Sequence, residues 1–156
     1  MGGTSPDSMD RWFPVVCLGV VWLGAALFRI QAGRLRVNEP EKADACMTIA
    51  YGLAVWAPLT FAPLAMGAVL GQATVDDAFR PRSNPWALAN MVGTLVVYAR
   101  LTRWLYWQGG GEFLVEHSSL IDTYRRFESP ATARLVVTLM MLGGVIAIVT
   151  SFLKHE

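Results

Sequence analysis

Four stretches of this chain run without a single charged side chain: Trp12 to Phe28, Ala45 to Val75, Ser83 to Ala99 and Leu135 to Leu153. A helix needs roughly 20 apolar residues to cross a hydrocarbon core, where the backbone must satisfy its own hydrogen bonds. None of the four runs alternates polar with apolar residues as a barrel strand does. The pattern predicts an all-α integral membrane protein, a four-helix bundle in one domain over residues 1–156. Its spans are expected at about 12–30, 45–73, 84–107 and 131–153.

Composition points the same way. The chain is 54% hydrophobic and 16% charged, where soluble domains carry about a quarter charged residues. A net charge of +1 leaves no dense basic face for nucleic acid, so that class of partner is excluded. Residues 1–10 (MGGTSPDSMD) lack the basic start of a cleavable signal, so the first apolar run is expected to remain as a span.

The charges fall mostly between the runs. Nine basic residues lie in the two larger connections: Arg29, Arg34, Arg36, Lys42, Arg100, Arg103, Arg125, Arg126 and Arg134. Four lie on the other side: Arg11, Arg80, Arg82 and Lys154. The positive-inside rule then puts both connections inside and both termini on the outer or lumenal side. A bacterial inner, mitochondrial inner or endoplasmic reticulum membrane fits equally.

Local signals refine the spans. Pro58 and Pro63 each lack an amide donor and crowd the carbonyl four residues earlier, so the second span is expected to kink. Pro40 behaves best in a first helical turn, with the second helix opening at Asn38 or Glu39. Ser129 followed by Pro130 reads as an N-cap and first helical residue for the last span. Between spans three and four, a glycine hinge at 109–111 precedes Phe113, Leu114, Leu120, Ile121, Tyr124 and Phe127 at helical spacing. That predicts a short amphipathic interfacial helix over about 113–128, lying on the membrane or against a partner.

Polar residues near the bilayer are the candidate site. Asn90, Thr94 and Tyr98 share one face of span three, as interhelical hydrogen-bonding glue or as the wall of a ligand cavity. Gly67 and Gly71 have GxxxG spacing, which lets a second helix approach. Arg29, Arg100, Arg103, Arg125, Arg126 and Arg134 gather at one predicted level. They serve as interfacial anchors, as a pocket for an anionic lipid headgroup, or as forks for the carboxylates of a small substrate. No metal-ligand spacing occurs, no pair of in-span histidines can hold a haem, and Cys17 and Cys46 read as buried small hydrophobes.

Arg34, Asn38 and Glu41 occur as Arg-x-x-x-Asn-x-x-Glu, and ARLTRWLYW (99–107) carries an arginine followed by aromatics. In both features the chain resembles the membrane-associated eicosanoid and glutathione metabolism family, four-helix proteins that form trimers. The resemblance implies a glutathione site built from Arg34, Asn38, Glu41 and Arg100, a homotrimer, and transferase or isomerase activity. The residues alone favour a different expectation: a non-catalytic accessory subunit of a larger membrane complex. It would hold no cofactor and touch membrane lipids and other membrane-protein subunits.

Overall fold

The structure, a computed structural model, describes residues 6–121 and 127–153. Among these the chain is all-helical, without a strand. The long elements are α1 (Pro6–Leu35), α2 (Pro40–Tyr51), α3 (Ala62–Val69), α4 (Pro85–Trp107) and α7 (Pro130–Leu153). Two short helices, α5 (Gly110–Glu116) and α6 (Ser118–Ile121), connect α4 to α7.

Among the described residues, two helices are long and apolar enough to cross a membrane, α1 over Asp10–Leu35 and α7 over Pro130–Thr150. A third crossing exists if the pair Pro40–Thr60 and Ala62–Val69, bent by 57°, counts as one span. α4 has 23 residues, but Asn90, Arg100 and Arg103 dilute its apolar run. Of the four spans expected from the sequence, two are plain helices, the second is broken where a kink was expected, and the third is a more polar helix.

Proline chemistry accounts for the breaks. α1 continues to Leu35, whose carbonyl accepts from the Asn38 and Glu39 amides at 3.1 and 2.8 Å. Pro40 then opens α2, with Glu39 as N-cap and Ala43 N–H donating to the Glu39 carbonyl at 3.0 Å. Ahead of Pro58 the chain widens into a π-helical turn over Gly52–Trp56 and then tightens into a 3-10 turn over Ala57–Thr60. Pro63 sits in the first turn of α3, so the second span is two helices meeting at a corner. At its far end α3 closes with Gly71 at φ +73°. Gln72 N–H donates to the Gly67 carbonyl at 2.8 Å and Gly71 N–H to the Ala68 carbonyl at 3.0 Å.

The helices pack in an open row. α1 lies along α2 and α3, α3 and the 57–60 turn lie on α4, and α7 packs on α5 and more lightly on α4. α1 and α7 thus form the two edges. Among the described residues, ten of fourteen buried hydrophobic side chains are alanines, and Cys46 and Leu105 are the largest buried completely. Small residues let helix backbones approach closely, which is how apolar helices gain contact when the surroundings are as apolar as they are. The outer faces stay exposed: Trp12, Val16, Val20, Leu23 and Leu27 on α1, and Leu135, Leu139, Met140 and Ile146 on α7.

The expected interfacial helix over 113–128 is, in its described part, α5 and α6 broken at His117. Its apolar residues turn to their own chain: Phe113 packs edge-on against Trp104, and Leu120 packs on Ala32, Ala43 and Cys46 of α1 and α2. Tyr124 lies outside the described residues.

Candidate functional site

On α4, Asn90, Thr94 and Tyr98 do share a face, and that face lines a cavity of about 180 Å³ toward α7. Gly144 and Ile148 of α7 form the opposite wall, and Ala78 and Pro81 of the connection before α4 complete it. Thr94 Oγ1 donates to the Asn90 carbonyl at 2.9 Å, a bond within its own helix. Tyr98 reaches across to α7, where its hydroxyl occupies the space a Cβ on Gly144 would take. Asn90 Oδ1 is buried and has no hydrogen-bond partner among the described residues. Such an atom in apolar surroundings costs free energy, so the cavity has a directed polar demand.

Around the α4–α7 corner, the three glycines expected as a hinge each have a local reason, one in backbone conformation and two in packing. Gly109 takes φ +77° to end α4. A Cβ on Gly110 would lie 2.6 Å from the Trp104 ring, and one on Gly111 would lie 2.7 Å from Arg134 Nε. Arg134 fills the corner: Nε donates to the Leu105 carbonyl at 3.2 Å, and a terminal nitrogen donates to Glu112 Oε1 at 2.7 Å. The Glu112 carboxyl is held below the usual glutamate range, first by its own backbone N–H, with desolvation opposing and Arg134 adding to the effect.

Among the described residues, the other arginines sit in separate surroundings. Arg100 lies over the Trp56 ring at 5.5 Å and bonds Gln108 at 3.3 Å. Arg103 is exposed on α4. Arg29 lines a groove between α1 and α2 with Arg36 and Asp44, about 430 Å³ in volume. Arg125 and Arg126 lie outside the described residues. Arg34, Asn38 and Glu41 are divided by the helix break: Arg34 is in the last turn of α1, Asn38 in the turn and Glu41 in the first turn of α2.

Gly67 does admit a close neighbour, the Trp86 ring, 2.6 Å from where its Cβ would stand. Gly71 has already left the helix, so the two do not form a helix-pairing face. Two contacts had no signal in the linear pattern. Arg11 Nε donates to the Ala68 carbonyl at 2.8 Å, capping α3 from α1. Gly93 of α4 lies directly under the Leu59 carbonyl, with no room for a Cβ. That carbonyl is the one Pro63 leaves without its helical donor.

Compared with known proteins, the chain matches no family model, no curated protein and no solved structure. The class the geometry defines, among the described residues, is an all-helical chain with two helices suited to crossing a membrane.

Proposed function

We propose that the chain is a polytopic membrane protein crossing four times, through α1, the bent α2–α3 pair, α4 and α7, with both termini outside. In this reading it is a non-catalytic accessory subunit of a larger membrane complex, and its inner arginines meet anionic headgroups. The observation that carries the proposal is the open row. Its edge helices α1 and α7 pack on different neighbours and each leave large apolar side chains exposed, as a piece set between neighbours does.

The disposition of the cations agrees with a structural role. Arg11 caps α3, Arg134 closes the α4–α7 corner and Arg100 lies against Trp56, so three guanidinium groups are engaged in holding helices. Native mass spectrometry of the detergent-extracted protein tests the reading, with a hetero-oligomeric mass expected. The alternative, a glutathione-dependent membrane transferase or isomerase, needs Arg34, Asn38 and Glu41 to converge with Arg100 across the turn between α1 and α2. A stable homotrimer that binds glutathione, with binding lost in Arg100→Ala, would overturn the accessory role in its favour.

A further inference from the structure

We infer that the groove between α1 and α2 is a binding site for a single phospholipid of the phosphoethanolamine class. Its phosphate lies between Arg29 and Arg36, its ammonium faces Asp44, and one acyl chain runs along the groove toward Trp22 and Ala54. The inference rests on the membrane reading above, since it needs α1 and α2 in a bilayer.

The groove has two parts that meet at Arg29 and Met47, residues common to both. One part, about 370 Å³, has walls of Trp22 and Tyr51 and a floor that includes Ala25, Ala26, Ala50 and Ala54. On α1 the contributing positions 22, 25, 26 and 29 recur at helical spacing, so they make a strip parallel to the helix axis. Small side chains on both helices leave a trough where larger ones would have interlocked, and a methylene chain is a solute of matching shape and polarity.

The second part is the charged mouth, where Arg29, Arg36 and Asp44 converge around Gly33. The charge-free run of α1 ends at Phe28, so Arg29 marks where hydrocarbon gives way to headgroups. The apolar trough therefore lies at acyl-chain depth and the mouth at phosphate depth. Arg29 stands on α1 and Arg36 in the turn just after its last residue, Leu35, and both line the mouth. Each guanidinium can donate in a fork to phosphate oxygens. Asp44 makes the mouth a cation pair with an adjoining anion, complementary to a headgroup that joins a phosphate to a primary ammonium. A purely anionic headgroup would leave the Asp44 carboxylate facing negative charge.

The test is purification in mild detergent followed by quantitation of co-purified phospholipid by class, on the full chain. About one phosphatidylethanolamine per chain is expected. The Arg29→Gln, Arg36→Gln double variant should lower retention about thirtyfold. Asp44→Asn should shift the retained class toward phosphatidylglycerol. Ala54 is exposed, so Ala54→Phe leaves every charge and the core in place while filling the trough, and it should also lose the lipid. If the arginine variant does not fold, as judged by helical circular dichroism, Ala54→Phe carries the test alone. Retention unchanged in the folded variants overturns the site. So does wild-type protein without phospholipid, or a native mass in which a polypeptide occupies the α1–α2 face. Resistance to alkaline extraction is measured in parallel. A chain washed from membranes fails the membrane reading, whereas an integral chain that retains no lipid fails this inference alone.

Discussion

Where α1 meets the connection after α3, and where the 57–60 turn meets α4, contacts are made by backbone carbonyls that prolines have set free, whereas between α4 and α7 they are made by side chains. Pro14 leaves the Asp10 carbonyl without its helical donor, and Val75 N–H reaches it at 3.3 Å. Pro63 does the same to Leu59, whose carbonyl then rests on Gly93. In the other region, Tyr106 and Thr138 hydroxyls pair at 2.8 Å, Tyr98 presses on Gly144 and Arg134 spans the corner. Backbone contacts cannot swing aside, so the first region tolerates little change. Side-chain contacts can adjust, and the second region carries a cavity and an unpartnered Asn90 oxygen.

That contrast is most sharply tested by adding one methyl group to each region. Gly93→Ala should destabilise the chain by about 3 kcal/mol, because the new Cβ meets a backbone carbonyl. Gly144→Ala meets only the end of a tyrosine and should cost about 1 kcal/mol. Reversible unfolding in mixed detergent micelles compares the two, and equal costs would break the distinction.

Smaller effects follow from the cations. Arg134→Gln removes a charged donor from the last turn of α4 and should cost about 1.5 kcal/mol in the same assay. Arg11→Gln should cost about 1 kcal/mol through loss of the α3 cap. The α4–α7 corner should also respond to acid. The lowered pKa of folded Glu112 contributes stability that is present above the usual glutamate range. That stability is lost as pH falls through the folded value. Stability measured against pH should fall on acidification, and less steeply in Arg134→Gln.

The last change has the opposite sign. Asn90→Leu removes a buried oxygen without a partner and should stabilise the chain by up to about 1 kcal/mol. If it destabilises instead, Asn90 has a partner in the membrane, and the α4–α7 cavity takes a hydrogen-bond donor.

Much of this was legible residue by residue. Pro40 and Pro130 each open a helix, because a proline at the first turn wastes no donor and its fixed φ suits the helix. Ser129 Oγ accepts from the Thr132 amide at 3.2 Å, the cap its position announced. The kink at Pro58 and Pro63 was equally local. The split of Arg34 from Glu41 followed from the same rule at Pro40. What linear spacing could not convey was that Phe113 and Leu120, in the described part of the stretch after Gly111, pack on Trp104 and on α1 and α2. It also could not convey the partners of each arginine, since one residue type serves as cap, ion pair or aromatic neighbour according to what stands beside it.

Helix content, helix starts and the apolar length of α1 and α7 were determined by the sequence alone. They depend on side-chain polarity, missing amide donors and caps, all acting within a few residues. The open row, the alanine-lined groove beside Arg29 and the cavity under Asn90 were decided by the tertiary structure. Each requires surfaces from helices far apart in the chain, and whether two small-residue faces meet or leave a trough depends on the angle at which breaks such as the 57° corner set them.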